Sequence, residues 1–126
     1  KGRKRNKIRR SQLRELKKLV NTLDTGDLIF YAGDFNLHYQ SKTYNYAKNI
    51  LNSEADYPNS SVKHTANFND QDYYPVSGNP SWIDFIFINK KKIKGVKTKI
   101  LEPKAWFKKK KKRISDHNPI ISTIKL

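Results

Sequence analysis

Between Asn6 and Leu23, the apolar residues Leu13, Leu16, Val20 and Leu23 recur at spacings of three and four, with Arg and Lys between them. That period predicts an amphipathic helix buried along one side. Asp24-Thr25-Gly26-Asp27 ends it, Gly26 supplying the left-handed backbone of a helix terminus, and the run Leu28-Ile29-Phe30-Tyr31-Ala32 predicts a strand directly after. Ser41 is placed to cap a second helix running to about Leu51, with Tyr44, Ala47, Lys48 and Leu51 on one side, before Asp56-Tyr57-Pro58-Asn59-Ser60-Ser61 breaks the pattern. From Ser60 to Ser81 no period is sustained, which is the mark of a functional loop in a compact domain. Ile83, Phe85 and Phe87 then alternate with Asp84, Ile86 and Ile88, predicting a strand apolar on both faces and buried, with one acid near its start. A further strand spans Val96 to Leu101 and is ended by Pro103; Lys108 to Arg113 reads as a basic loop; a last strand runs from Pro119 to Leu126. The order helix, strand, helix, loop, strand, strand, loop, strand is that of an α/β protein, and no internal repeat interrupts it.

A chain of 126 residues is one small domain at most. It has no methionine and opens inside a basic run, so further sequence is expected upstream. The absence of cysteine excludes disulfides and thiolate chemistry and leaves the compartment open. No stretch reaches the roughly 20 apolar residues of a membrane span, and no apolar signal segment stands at the start. The formal charge of +16 predicts attraction to phosphate-bearing partners such as nucleic acid or anionic lipid, although a lysine- and asparagine-rich chain carries such charge on any solvated surface. The charge brackets the chain: ten basic residues precede Leu19 and thirteen lie between Lys90 and Arg113.

Asp84 is the sharpest chemical signal, because a carboxylate among Ile and Phe is costly to bury unless something hydrogen-bonds or neutralises it. His117 is the candidate partner. A carboxylate holding one imidazole nitrogen fixes the tautomer and leaves the other nitrogen to exchange a proton with water or substrate. The plainer alternative has Asp84 binding backbone amides at a strand end and His117 as a turn residue. Asp34 and Asn36, two apart, lie on the same side if their strand continues, pairing a water-orienting carboxylate with a phosphate-binding amide; Gly, Asp and Asn also simply form turns. Asp116 adds a third acid, and clustered carboxylates suit a hard divalent cation such as Mg2+.

Gly33-Asp34-Phe35-Asn36, Trp82-Ile83-Asp84-Phe85-Ile86-Phe87 and Ser115-Asp116-His117-Asn118-Pro119 resemble, in order and spacing, the three C-terminal motifs of the endonuclease/exonuclease/phosphatase superfamily. His64-Thr65, the stretch through Asp72-Tyr73-Tyr74-Pro75 and Gly78-Asn79-Pro80, and Arg9 with Gln12 look most like bacterial neutral sphingomyelinases. The resemblance implies that residues 1–126 form the C-terminal half of a four-layer α/β sandwich with a mixed, mainly antiparallel sheet, a single domain whose N-terminal part is missing. It implies that Asp34 orients the attacking water, Asn36 holds the phosphate, Asp84 pairs with the general base His117, and Asp116 with His117 supports Mg2+ or another divalent cation. Asn36 and His64 are the implied substrate contacts, and Trp106 and Phe107 are candidate contacts on their own chemistry. The family's N-terminal Asn, metal-binding Glu and second His have no counterpart here.

Secreted sphingomyelinases insert an aromatic-rich hairpin before the final Ser-Asp-His, whereas this chain offers Lys104-Ala105-Trp106-Phe107 and then lysines. Those aromatics suit a lipid interface, a stacked base beside a phosphate backbone, or a solvated loop with one core aromatic. The implied activity is Mg2+-dependent hydrolysis of sphingomyelin to ceramide and phosphocholine, with this chain alone expected to be inactive. A nuclease of the same superfamily is the alternative, and a non-catalytic basic binding module or decayed remnant is the alternative of another class. A membrane sphingolipid is thus the favoured partner and nucleic acid the other; no obligate protein partner is evident, and the resemblance favours secretion without fixing the location.

Overall fold

The computed structural model describes residues 2–23, 26, 28–67 and 80–126, apart from the side chain of Phe107. The first helix, α1, spans Gly2–Thr22 and starts earlier than its apolar period does, because Lys and Arg are good helix formers even without a buried face. Leu13 is buried, and Leu16 and Val20 pack at the core's edge, as the spacing predicts. Leu23 does not join them: it lies past the helix and is exposed. Of the predicted terminator, Asp24, Thr25 and Asp27 lie outside the described residues.

The strand β1 covers Phe30–Asp34. The helix α2 covers Lys42–Leu51, and Ser41 caps it, its hydroxyl accepting from the Tyr44 N–H at 3.1 Å. Tyr44, Ala47 and Leu51 are buried, whereas Lys48 stays at the surface and pairs with Glu54 at 3.7 Å. The next strand was not legible in the sequence. Glu54–Ala55 forms β2, tied to α2 by the Ala55 N–H donating to the Tyr44 hydroxyl at 3.2 Å. Burial around that hydroxyl pushes the Tyr44 pKa up to about 12 against the lowering effect of the Ala55 bond.

The strand β3, Asp84–Ile88, lies between β1 and β2 and is antiparallel to both. Its central place explains why Phe85, Phe87 and Ile88 are wholly buried. Phe35, Tyr39, Tyr44, Trp82, Phe85 and Phe87 form one aromatic cluster under the helices, with ring centroids 4.2 to 6.3 Å apart.

A 3-10 turn over Lys90–Lys92 leads to β4, Gly95–Ile100, which pairs with the last strand. Between them the sequence predicts only a loop, but Lys104–Phe107 (β5) and Lys110–Arg113 (β6) form an antiparallel hairpin. Lysine is a poor strand former, so the pattern hid the hairpin. Its two-residue turn holds Lys108 at a φ of 55°. The last strand, β7, is Ile120–Lys125. Every described strand pair is antiparallel, which makes the chain an α/β unit with antiparallel sheets, as half of the sandwich requires.

Candidate active site

The register of β1 on β3 sets Asp34 directly opposite Asp84 at the sheet's end. Two like charges facing each other across a ladder repel, so this arrangement calls for a neutralising group. His117 is that group. Its Nδ1 lies 2.8 Å from Asp84 Oδ2, and the Asp84 and His117 side chains are respectively 17% and 33% exposed, shielded enough for the pair to be held in one geometry. Asp34, Asp84 and His117 each bring a donor atom within 4.8 Å of the others. Burial works to lower the His117 pKa, but the Asp84 hydrogen bond and the charges of Asp84, Asp116 and Asp34 outweigh it and leave it raised above the ordinary 6.5.

Asn36 reaches this rim differently from the way its spacing suggests. The strand stops at Asp34, and Asn36 turns into the left-handed region at φ 51°, its N–H donating to Asp34 Oδ1 at 2.9 Å. That is an Asx turn, so Asn36 stands beside Asp34 through a bend and not through strand alternation. The turn is pinned to the neighbouring strand by the Phe35 N–H donating to the Ile83 carbonyl at 3.0 Å. Arg9, Gln12, Leu13 and Leu16 of α1 close a cleft of about 280 Å³ with Asp34, Phe35 and Leu37.

What brings Asp84 and His117 together is a short segment without any period. Thr65 is wholly buried, and its hydroxyl oxygen accepts from the N–H groups of both Ile83 and Asp84 at 3.0 Å. Its carbonyl accepts from the Asn118 N–H at 2.6 Å, while the Asn118 side chain donates to the His64 carbonyl at 3.1 Å. Ala66 bridges to Ser81 on one side and to His117 on the other. One extended segment therefore positions the acid and the imidazole at once. The Thr65 and Asn118 roles were missed by sequence reasoning; a Thr in a loop carries no periodic signal.

The other expected site residues lie around this centre. The Asp116 carboxylate accepts from the Ser115 hydroxyl at 3.4 Å and its carbonyl from Arg113 at 3.0 Å; among the described residues it is not one of the three that converge within 4.8 Å. Arg113, read as part of a basic run, is buried and also donates to the Asn67 carbonyl at 3.3 Å. His64 faces Glu102, 3.4 Å away. Trp106 is 72% exposed on the hairpin, and the Phe107 side chain lies outside the described residues. So does the predicted loop stretch from Asp72 to Asn79.

With this geometry in view, the comparisons with known proteins fall into place. The model of the Endonuclease/Exonuclease/phosphatase family matches residues 5–117, and the chain belongs to that family. No curated protein sequence matches it significantly. Among solved structures it is similar to the beta toxin of Staphylococcus aureus, at 24% identity and a TM-score of 0.74, over 94% of this chain and 45% of that one. It is similar to sphingomyelinase C from Streptomyces griseocarneus, at 13% identity and a TM-score of 0.72, over 96% of this chain and 46% of that one. A doubly substituted form of the toxin, with bound magnesium ions, aligns at 22% identity and a TM-score of 0.70, over 93% of this chain and 45% of that one. At such identities the likeness shows the fold. The chain spans less than half the length of each of these structures.

The donor set fits part of a magnesium site. Carboxylate oxygens on Asp34 and Asp84 are the hard donors that Mg2+ takes, one or two of them sufficing beside water and phosphate oxygens, and Asp84 Oδ2 already engages His117 Nδ1.

Proposed function

We propose that this chain contributes the acid–imidazole half of a metal-dependent phosphodiesterase site of sphingomyelinase type, as the C-terminal part of one larger domain. The observation that supports the reading is the 2.8 Å contact of His117 Nδ1 with Asp84 Oδ2, formed across the ladder from Asp34. With Nδ1 engaged, His117 takes the proton of an attacking water at Nε2, and Asp84 stabilises the imidazolium that forms. Asp34 accepts a hydrogen bond from that water and aligns it with phosphorus. The Asn36 amide donates to a phosphoryl oxygen. The water oxygen bonds to phosphorus as the bond to the ceramide oxygen breaks, releasing phosphocholine and, once that oxygen is protonated, ceramide. A bound divalent cation, Mg2+ first, would stabilise the charge developing on the phosphoryl oxygens, held on this chain by the carboxylates of Asp34 and Asp84.

The lipid substrate is favoured by Trp106, whose exposed ring sits opposite Lys111 on the hairpin, an aromatic and cationic pairing suited to a head-group layer. The strongly basic flanks favour the second reading, a nuclease of the same family. The test is phosphocholine release from sphingomyelin vesicles against plasmid cleavage, each with Mg2+, in the full-length protein. We expect release from vesicles, reduced on the order of a hundredfold or more by His117→Ala. Cleavage of DNA alone would replace the lipid reading with the nuclease. Activity on neither would leave the non-catalytic module, and turnover by the 126-residue chain alone would overturn the half-site reading.

A further inference from the structure

The first turns of α1 bury nothing, since residues 2–8 are all exposed, yet they form a concave wall with the start of α2. Arg3, Lys4, Asn6, Lys7 and Arg10 line a groove of about 880 Å³ together with Lys42. Five of these six side chains are cations and none is an acid. Like charges gathered around a hollow repel one another, and a bound polyanion converts that cost into attraction. Part of the wall is held in place before any ligand arrives: the Arg10 guanidinium lies over the Tyr46 ring, 5.3 Å from its centroid, and Arg14 donates to the Tyr46 hydroxyl at 3.3 Å.

We infer that this groove is a second binding site, for the phosphodiester backbone of a nucleic acid. It shares no lining residue with the cleft beside Asp34, so it is separate from the proposed chemistry. Its two arginines and three lysines match a run of phosphates, the arginines able to grip two phosphate oxygens at once. Its shape selects the partner. A backbone is a narrow charged ridge that enters a groove, whereas a bilayer is flat and meets protruding side chains. A bilayer anchor would also need apolar residues, and among the described residues none lines the groove, whose apolar surface is only the aliphatic stems of its Lys and Arg side chains; Ile8, the large apolar residue exposed in these turns, lies outside it. Among the described residues no aromatic side chain lines it either, so binding is to backbone and indifferent to base sequence.

The test measures binding of a fluorescein-labelled duplex by anisotropy in EDTA, using the full chain over a range of salt. Arg3→Glu, Lys7→Glu and Lys42→Glu together are compared with Lys97→Glu, Lys99→Glu and Lys125→Glu, three exposed lysines of β4 and β7 whose reversal changes net charge equally. The groove triple is expected to raise Kd more than about tenfold beyond the control and to lower the salt slope by about 3. The neutral triple Arg3→Gln, Lys7→Gln and Lys42→Gln, which should also weaken binding beyond its matching control, serves if the reversed protein fails to fold. Equal losses in groove and control variants would mean diffuse charge and overturn the site. So would the absence of duplex binding, or groove-dependent binding only to phosphatidylserine vesicles.

Discussion

Replacing Thr65 with Val removes a hydroxyl and keeps the shape, which isolates one question: what does it cost to leave the acid-bearing strand without its anchor? The Thr65 oxygen is the acceptor for two N–H groups, Ile83 and Asp84, each at 3.0 Å, and the residue itself is wholly buried. A buried donor stripped of its partner costs about 1–3 kcal/mol. The Ile83 bond is buried and the Asp84 bond partly so, which places the sum at about 2–4 kcal/mol. Thr65→Ser keeps the oxygen and loses only a methyl, so it should cost about 1 kcal/mol. Urea unfolding followed by far-UV circular dichroism measures both. The catalytic reading adds a second readout, since a shifted Asp84 backbone disturbs its contact with His117: Val should lower turnover in the full-length protein, and Ser should restore most of it. A Val variant within about 0.5 kcal/mol of the parent, or a Ser variant as damaged as Val, would refute the reasoning.

His117 has a folded pKa above 6.5, so the folded state holds its proton to higher pH than the unfolded chain does. The Asp84 contact therefore adds stability that is complete below about pH 6.5 and fades as pH rises through the raised value. Asp84→Asn should flatten that loss, checked by urea midpoints of both proteins at about pH 6 and about pH 9; parallel slopes would contradict it. Lys108 pays for a left-handed backbone in the hairpin turn, so Lys108→Gly should stabilise by about 0.5–1 kcal/mol, read as a raised urea midpoint. Tyr44→Phe strips the acceptor from the Ala55 N–H and should destabilise by about 1–2 kcal/mol, measured the same way.

Asp34, Asp84 and His117 could be read from sequence because each breaks a local pattern: two polar motifs bounding apolar runs, and one acid inside a strand of Ile and Phe. α1, α2 and β3 were legible for the same reason, as periods carried by buried faces. The hairpin was not, because six of its eight strand residues are Lys, Arg or Ala, and its strands are held by backbone pairing more than by burial. The burial of Arg113 was not legible, because in sequence it is one more cation of a basic run, while in the fold it donates to two carbonyls. Asn36 stands beside Asp34 as expected, but through a bend that was not legible, because an Asx turn and a continuing strand need the same residues at the same spacing. Thr65 acts through backbone groups distant in sequence, and no local pattern encodes that.

Arg113 also divides the hairpin into two territories with different freedom to vary. Its guanidinium is bolted to the carbonyl of Asp116, next door to the imidazole, whereas the Lys108-Lys109 bend lies at the opposite end of the ladder. Residues can be added or exchanged at the tip while the root keeps the imidazole's doorstep unmoved. A single replacement at the root has no such insulation.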